Sequence, residues 1–122
     1  MIPRTLVDYD KERLLKALTE VIDSGQYVNG PKAKEFESLV CEYTGAQNCV
    51  SVNSGTSALI MAYKLSGAKK ILTTPFTFSA TSMAAKFLGL EVVYCDIDPT
   101  TLCMDMSEVE RLCELHKDID AV

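Results

Sequence analysis

No apolar run in this 122-residue sequence approaches the roughly 20 consecutive residues that a bilayer-crossing helix needs. No Cys-x-x-Cys pair occurs, and the five cysteines, Cys41, Cys49, Cys95, Cys103 and Cys113, are odd in number. Neither a disulfide framework nor a zinc ribbon is therefore suggested, and the thiols read as buried, reduced side chains. Histidine occurs once, at His116, three residues after Cys113 on a predicted helix. That spacing places two ligands on one face, but a structural zinc site normally takes four, so no metal is expected. An excess of basic residues is missing too. Twelve Lys and Arg against 17 Asp and Glu give a net charge of -5, with no footprint for nucleic acid or an anionic membrane. The opening Met1-Ile2-Pro3-Arg4-Thr5 runs straight into charged residues with no secretory signal, and the expected location is cytoplasmic.

What is present fits a globular protein with a modest core: 48% hydrophobic and 24% charged residues. From Asp10 to Ser24, Leu14, Leu18, Val21 and Ile22 fall on one helical face, and Gly25 supplies the stop. Pro31 suits the first position of a second helix, whose predicted buried face carries Phe36, Leu39, Val40 and Tyr43 and which ends near Gly45. The grammar then changes. Short β-prone runs at Asn48–Val52, Lys70–Thr74 and Glu91–Cys95 alternate with helical stretches at Ala58–Leu65 and Ser79–Leu88. Asp98-Pro99 marks a turn, Ser107 with Glu110 forms a capping-box pattern opening a last helix, and Ile119–Val122 begins another strand. Such alternation predicts an α/β fold with a mainly parallel sheet covered on both faces. The chain stops where this strand begins, an ending odd for a complete domain.

Two segments could carry chemistry. In the first, Val50-Ser51-Val52 runs into Asn53-Ser54-Gly55-Thr56-Ser57-Ala58-Leu59. A strand turning into a helix through small residues presents backbone N–H groups and the positive end of the helix dipole to an anion, above all a phosphate. Gly55 lets backbone approach closely, and Thr56 and Ser57 add hydroxyls. The same residues also suit a plain helix cap with no ligand. Neither Gly-x-Gly-x-x-Gly nor Gly-x-x-x-x-Gly-Lys occurs, so a generic nucleotide-binding domain lacks its fingerprint. In the second segment, Thr73-Thr74-Pro75-Phe76-Thr77-Phe78-Ser79-Ala80-Thr81, two aromatics follow a strand's C-terminal end, where α/β proteins place ligands. Either they stack on a flat ligand ring or they join the core. A phosphate cradle after one strand and an aromatic plate after the next together suit a phosphorylated planar cofactor such as pyridoxal phosphate.

Gly30-Pro31 with Lys34-Glu35-Phe36-Glu37, then Asn53 to Leu59, then Pro75 to Thr81, then Val93-Tyr94-Cys95-Asp96-Ile97-Asp98-Pro99 occur in this order. So arranged, they resemble the N-terminal third of the DegT/DnrJ/StrS family of sugar aminotransferases. The resemblance implies part of the large domain of a fold-type-I pyridoxal-phosphate transferase, a three-layer α/β/α sandwich working as a homodimer with active sites near the subunit interface. It further implies that Gly55, Thr56 and Ser57 hold the cofactor phosphate and that Phe78 stacks on the pyridine ring. Asn29 and Gly30 would lie near the substrate or the partner subunit. Residues 1–45 would form a helical N-terminal segment and 46–122 the start of the cofactor-binding domain.

Two departures stand out. Ser66-Gly67-Ala68-Lys69-Lys70 is shorter than the family's usual turn and lacks its acidic pair. The lysine that bonds the cofactor and the carboxylate that pairs with the pyridine nitrogen belong beyond the last residue, so no catalytic residue is assigned here. Asp96 and Asp98 read as turn and cap residues. The expected function is that of an N-terminal fragment, inactive alone, of an enzyme moving an amino group, typically from glutamate, to a nucleotide-linked keto-sugar. A sugar dehydratase of the same fold remains an alternative. So does a non-catalytic module that binds a phosphorylated ligand or pairs with a second chain.

Overall fold

A computed structural model describes residues 9–122; the signal-peptide reading of residues 1–5 lies outside that range. The described chain divides into two units, residues 9–51 and Val52–Val122.

In the first unit, α1 spans Lys11–Ser24 and α2 spans Pro31–Thr44. Asp10 sits just outside α1, where its carboxylate accepts the Arg13 amide at 3.0 Å and satisfies a first-turn donor. Gly25 and Gly45 end the two helices in the left-handed conformation that glycine adopts without strain. Gly30, the cap before Pro31, tolerates no side chain, since a Cβ there would stand 2.6 Å from the Gln26 carbonyl oxygen. Asn29 beside it has φ 51, a left-handed angle that Asn tolerates better than most residues. Lys32 pairs with Glu20 at 2.9 Å and Glu35 at 3.1 Å.

Two expectations fail in this unit. Neither helix contains a fully buried residue, and Tyr43, expected on the inner face, is 93% exposed. Periodicity identifies the apolar side of a helix but not what covers it. No strand forms over residues 48–52 either. The Ser51 amide and hydroxyl donate instead to the Glu37 carboxylate, at 2.7 and 2.8 Å. A side chain of α2 thus takes the place of a ladder partner.

The second unit runs α3 (Gly55–Ser66), β1 (Lys70–Thr73), α4 (Ala80–Phe87), β2 (Glu91–Tyr94) and α5 (Met106–Leu115). Strands β1 and β2 are parallel, with Lys70 opposite Glu91 and Thr73 opposite Tyr94. On the other side of β1, Ala121 bridges Ile71 in parallel, its carbonyl accepting from Leu72 at 2.8 Å. The strand expected at 119–122 is therefore present as this single bridge, and β1 is flanked on both sides. Its position explains its burial: Ile71 is 2% exposed and Leu72 1%.

Successive strand residues face opposite ways. Leu72 packs with Cys95 and with Val109 and Leu112 of α5. Against the strands, α4 sets its small residues, with Ala80, Ala84 and Ala85 buried. The result is α/β layering with helices on both faces of a parallel sheet. Asp120 ties the last segment to β1, its carboxylate accepting the Lys69 and Lys70 amides at 2.7 and 3.2 Å. The Lys70 ammonium reaches Asp118 and Glu91 at 2.8 and 3.0 Å, and both partners hold it charged.

The cap of α5 corrects the capping-box reading. Asp105, not Ser107, is the cap, and its carboxylate accepts the Ser107 amide at 2.9 Å and the Ser107 hydroxyl at 2.6 Å. A charged acceptor at the positive end of the helix outcompetes a neutral hydroxyl two residues later. Glu110 makes no reciprocal cap, while Glu108 pairs with Arg111 at 2.7 Å. Asp98 accepts the amides of Thr100 and Thr101 at 2.7 and 2.8 Å, the turn role expected of it.

Candidate functional site

Ser54 has extended backbone, φ -161 and ψ 158, and leads directly into α3. Its hydroxyl oxygen accepts the Ser57 amide at 3.1 Å, and the Ser57 hydroxyl donates to the Asn53 carbonyl oxygen at 2.6 Å. Asn53, Ser54 and Ser57 thereby form a closed local cap. The N–H groups of Gly55 and Thr56, at the first two positions, have no intrahelical acceptor. They add to the positive end of a 12-residue helix. A Cβ on Gly55 would meet nothing within 4 Å, so protein packing leaves open space over these amides.

Gly55 also lines a cavity of about 530 Å³, together with Thr56, Ala58 and Leu59 of α3 and with Phe78 and Thr81. Its volume falls in the range of about 300–1,000 Å³ usual for small-molecule sites. Phe78 is 79% exposed and Phe76 61%, so neither ring joins the core. Only Phe78 faces the cavity. Its position follows from the loop that ends β1 and enters α4, where the Phe78 carbonyl accepts the Thr81 amide at 3.0 Å. Tyr63 of α3 braces this wall, its hydroxyl donating to the Thr81 carbonyl at 3.3 Å. Partial burial pushes that phenol's pKa up, keeping it a donor.

Among the expected contacts, the structure thus brings Gly55, Thr56 and Phe78 to one cavity. Ser57 lies beside them, with its amide and hydroxyl committed to the cap. Asn29 and Gly30 belong to the other unit, in the loop between α1 and α2. Sequence reasoning missed Asn53 as the acceptor that fixes Ser57, and Thr81 with Tyr63 as the supports of the far wall. The Asn-Ser pair before Gly55 was the available signal for the first. Nothing local signals a contact between residues 18 positions apart, as Tyr63 and Thr81 are.

No charged side chain lines the cavity. Backbone amides and the helix dipole supply its positive potential, and it holds no side-chain general acid or base. The arrangement can bind and orient an anion joined to a flat apolar ring. Elsewhere, Cys113 packs against the α5 core and the His116 amide donates to the Leu112 carbonyl at the end of α5. Among the described residues, no three metal-ligating side chains converge and no helix is long and apolar enough to cross a membrane.

Residues 8–118 match the DegT/DnrJ/EryC1/StrS aminotransferase family. The chain is 39% identical over 115 residues to the UDP-4-amino-4,6-dideoxy-N-acetyl-beta-L-altrosamine transaminase of Campylobacter jejuni, covering 93% of this chain and 30% of that protein. Among solved structures it is similar to the sugar aminotransferase CalS13 of Micromonospora echinospora, with a TM-score of 0.80 and 33% identity over 91% of this chain and 31% of that one. It is also similar to NtdA of Bacillus subtilis with bound cofactor PMP, with a TM-score of 0.74 and 31% identity over 82% of this chain and 24% of that one. The chain spans under a third of the length of the curated relatives it matches.

Proposed function

The chain belongs to the DegT/DnrJ/EryC1/StrS aminotransferase family, and on that premise we propose that it is the N-terminal part of a pyridoxal 5'-phosphate enzyme that aminates a nucleotide-linked keto-sugar. The observation that carries the cofactor assignment is the convergence of the Gly55 and Thr56 amides and the Phe78 ring on one cavity. A cofactor-bound relative, holding PMP, supports the same reading, and the sugar-transaminase relative supports the substrate class.

The residues present fit the group. The Gly55 and Thr56 amides, with the Thr56 hydroxyl, would donate to phosphate oxygens at the positive end of α3. Ser57 would join them at the phosphate, and its bonds to Ser54 and Asn53 hold the cap that aims those amides. Phe78 would offer a ring face to the pyridine, beside the apolar lining of Ala58 and Leu59. When bound, pyridoxal 5'-phosphate supplies the electron sink that allows an amino group to pass between carbonyl carbons. No lysine lines the cavity, and by the family resemblance the proton-moving lysine would belong to a later part of such an enzyme. On this reading the described residues up to 45 would serve as a helical N-terminal segment and 46–122 would open the cofactor domain, with Asn29 and Gly30 toward substrate or a second subunit of a cytoplasmic homodimer.

Transfer from glutamate converts it to 2-oxoglutarate as the sugar ketone becomes an amine. The test is to incubate the natively expressed protein with pyridoxal 5'-phosphate, glutamate and UDP- or dTDP-linked keto-sugars. Equimolar 2-oxoglutarate and amino sugar are expected. Cofactor binding with no amino sugar from any of these acceptors would contradict the substrate class, and absence of cofactor binding would contradict the whole reading.

A further inference from the structure

The segment after α2 carries a feature independent of the cofactor site. Ser51 is fixed against Glu37 by two hydrogen bonds, at 2.7 and 2.8 Å, one of them from its own side chain. Cys49 and Ser51 are half-buried while Val50 between them is 69% exposed, the alternation of extended chain. Two residues of extended chain advance about 6.6 Å, and four residues of helix advance about 6 Å. Returning along α2 from the Glu37 anchor, Cys49 therefore reaches the level of Cys41. Parity agrees: Cys49 points the same way as Ser51, toward α2, and Cys41 shares a helix face with Glu37 four residues earlier. Both cysteines line a single cavity of about 390 Å³ together with Glu37.

The geometry points to Cys41 and Cys49 as an oxidisable thiol pair, a disulfide-forming modification site for small-molecule disulfides of the glutathione type. Both are free and half-buried, whereas Cys95 is fully buried. Among the described residues, no group of three side chains placed to hold a metal includes them, which favours redox chemistry over a metal site. The reaction balances by exchange. One cysteine thiolate attacks a sulfur of oxidised glutathione, releasing one glutathione thiolate. The second cysteine's thiolate then displaces the remaining glutathione, and the two protons lost by the protein end on the two glutathione thiols. Two protein thiols are oxidised and one external disulfide is reduced.

Treating the folded, natively expressed protein with oxidised glutathione, alkylating, and mapping without reduction tests this. Glu42 lies between the two cysteines and no Lys or Arg does, so a Glu-specific protease separates them where trypsin leaves them on one peptide. The expected result is a joined pair of peptides, two hydrogens lighter than their sum, forming about tenfold faster than in urea because the fold aligns the sulfurs. In Cys41→Ser or Cys49→Ser the remaining thiol should instead retain glutathione. Thiols left free or separately capped in the wild type, links to Cys103 or Cys113, or equal rates in urea would each overturn the assignment.

Discussion

At the scale of single residues, Phe78 and Phe76 are separated by one position and by role. Only Phe78 faces the cavity that holds the Gly55 and Thr56 amides. Replacing Phe78 by Ala removes the ring face, and cofactor affinity measured by fluorescence titration should fall about tenfold, the scale of one stacking contact. Phe76→Ala should leave it unchanged. A pH effect follows from two carboxylates that accept backbone amides. Asp120 is held below its ordinary value by the Lys69 and Lys70 amides, and Glu37 by the Ser51 amide and hydroxyl. A lowered folded-state pKa contributes stability that is full above the unfolded value, near pH 4, and lost as pH falls through the folded value. Urea midpoints should therefore drop below about pH 4, and Asp120→Asn should flatten that drop while lowering the plateau.

Elements were legible where one residue type settles the geometry. Glycines at 25 and 45 mark helix ends because the absence of a side chain permits the left-handed turn by itself. The reading failed where two local solutions competed. Asp105 and Ser107 both suit a helix start, and the charged acceptor took the position. The run at 48–52 has strand-like composition, yet Glu37 satisfies Ser51 from 14 residues away, which no local window contains. At α3 the Ser54 hydroxyl is the acceptor for the Ser57 amide, while Asn53 holds the Ser57 hydroxyl. Ser54→Ala should cost about 1 kcal/mol, read as a lower denaturation midpoint. It should also weaken phosphate binding, because Ser57 loses its anchor and the amides their aim.

For the molecule as a whole, the alternation of strand and helix was enough to read a parallel α/β arrangement, and the order of short motifs was enough to read the family. What covers the exposed helix faces of residues 9–51 was not legible, because amphipathicity names a side and not a partner. The second unit rests on β1, whose Leu72 meets Cys95, Val109 and Leu112. Leu72→Ala should cost ~2–5 kcal/mol in equilibrium unfolding, with β2 and α5 lost together. The most direct test of the central claim is a crystal structure of the natively expressed protein grown with pyridoxal 5'-phosphate. The account predicts phosphate oxygens about 2.7–3.2 Å from the Gly55 and Thr56 amide nitrogens, with the pyridine ring against Phe78. A cofactor bound with its phosphate elsewhere, leaving those amides and Phe78 facing water, would contradict it.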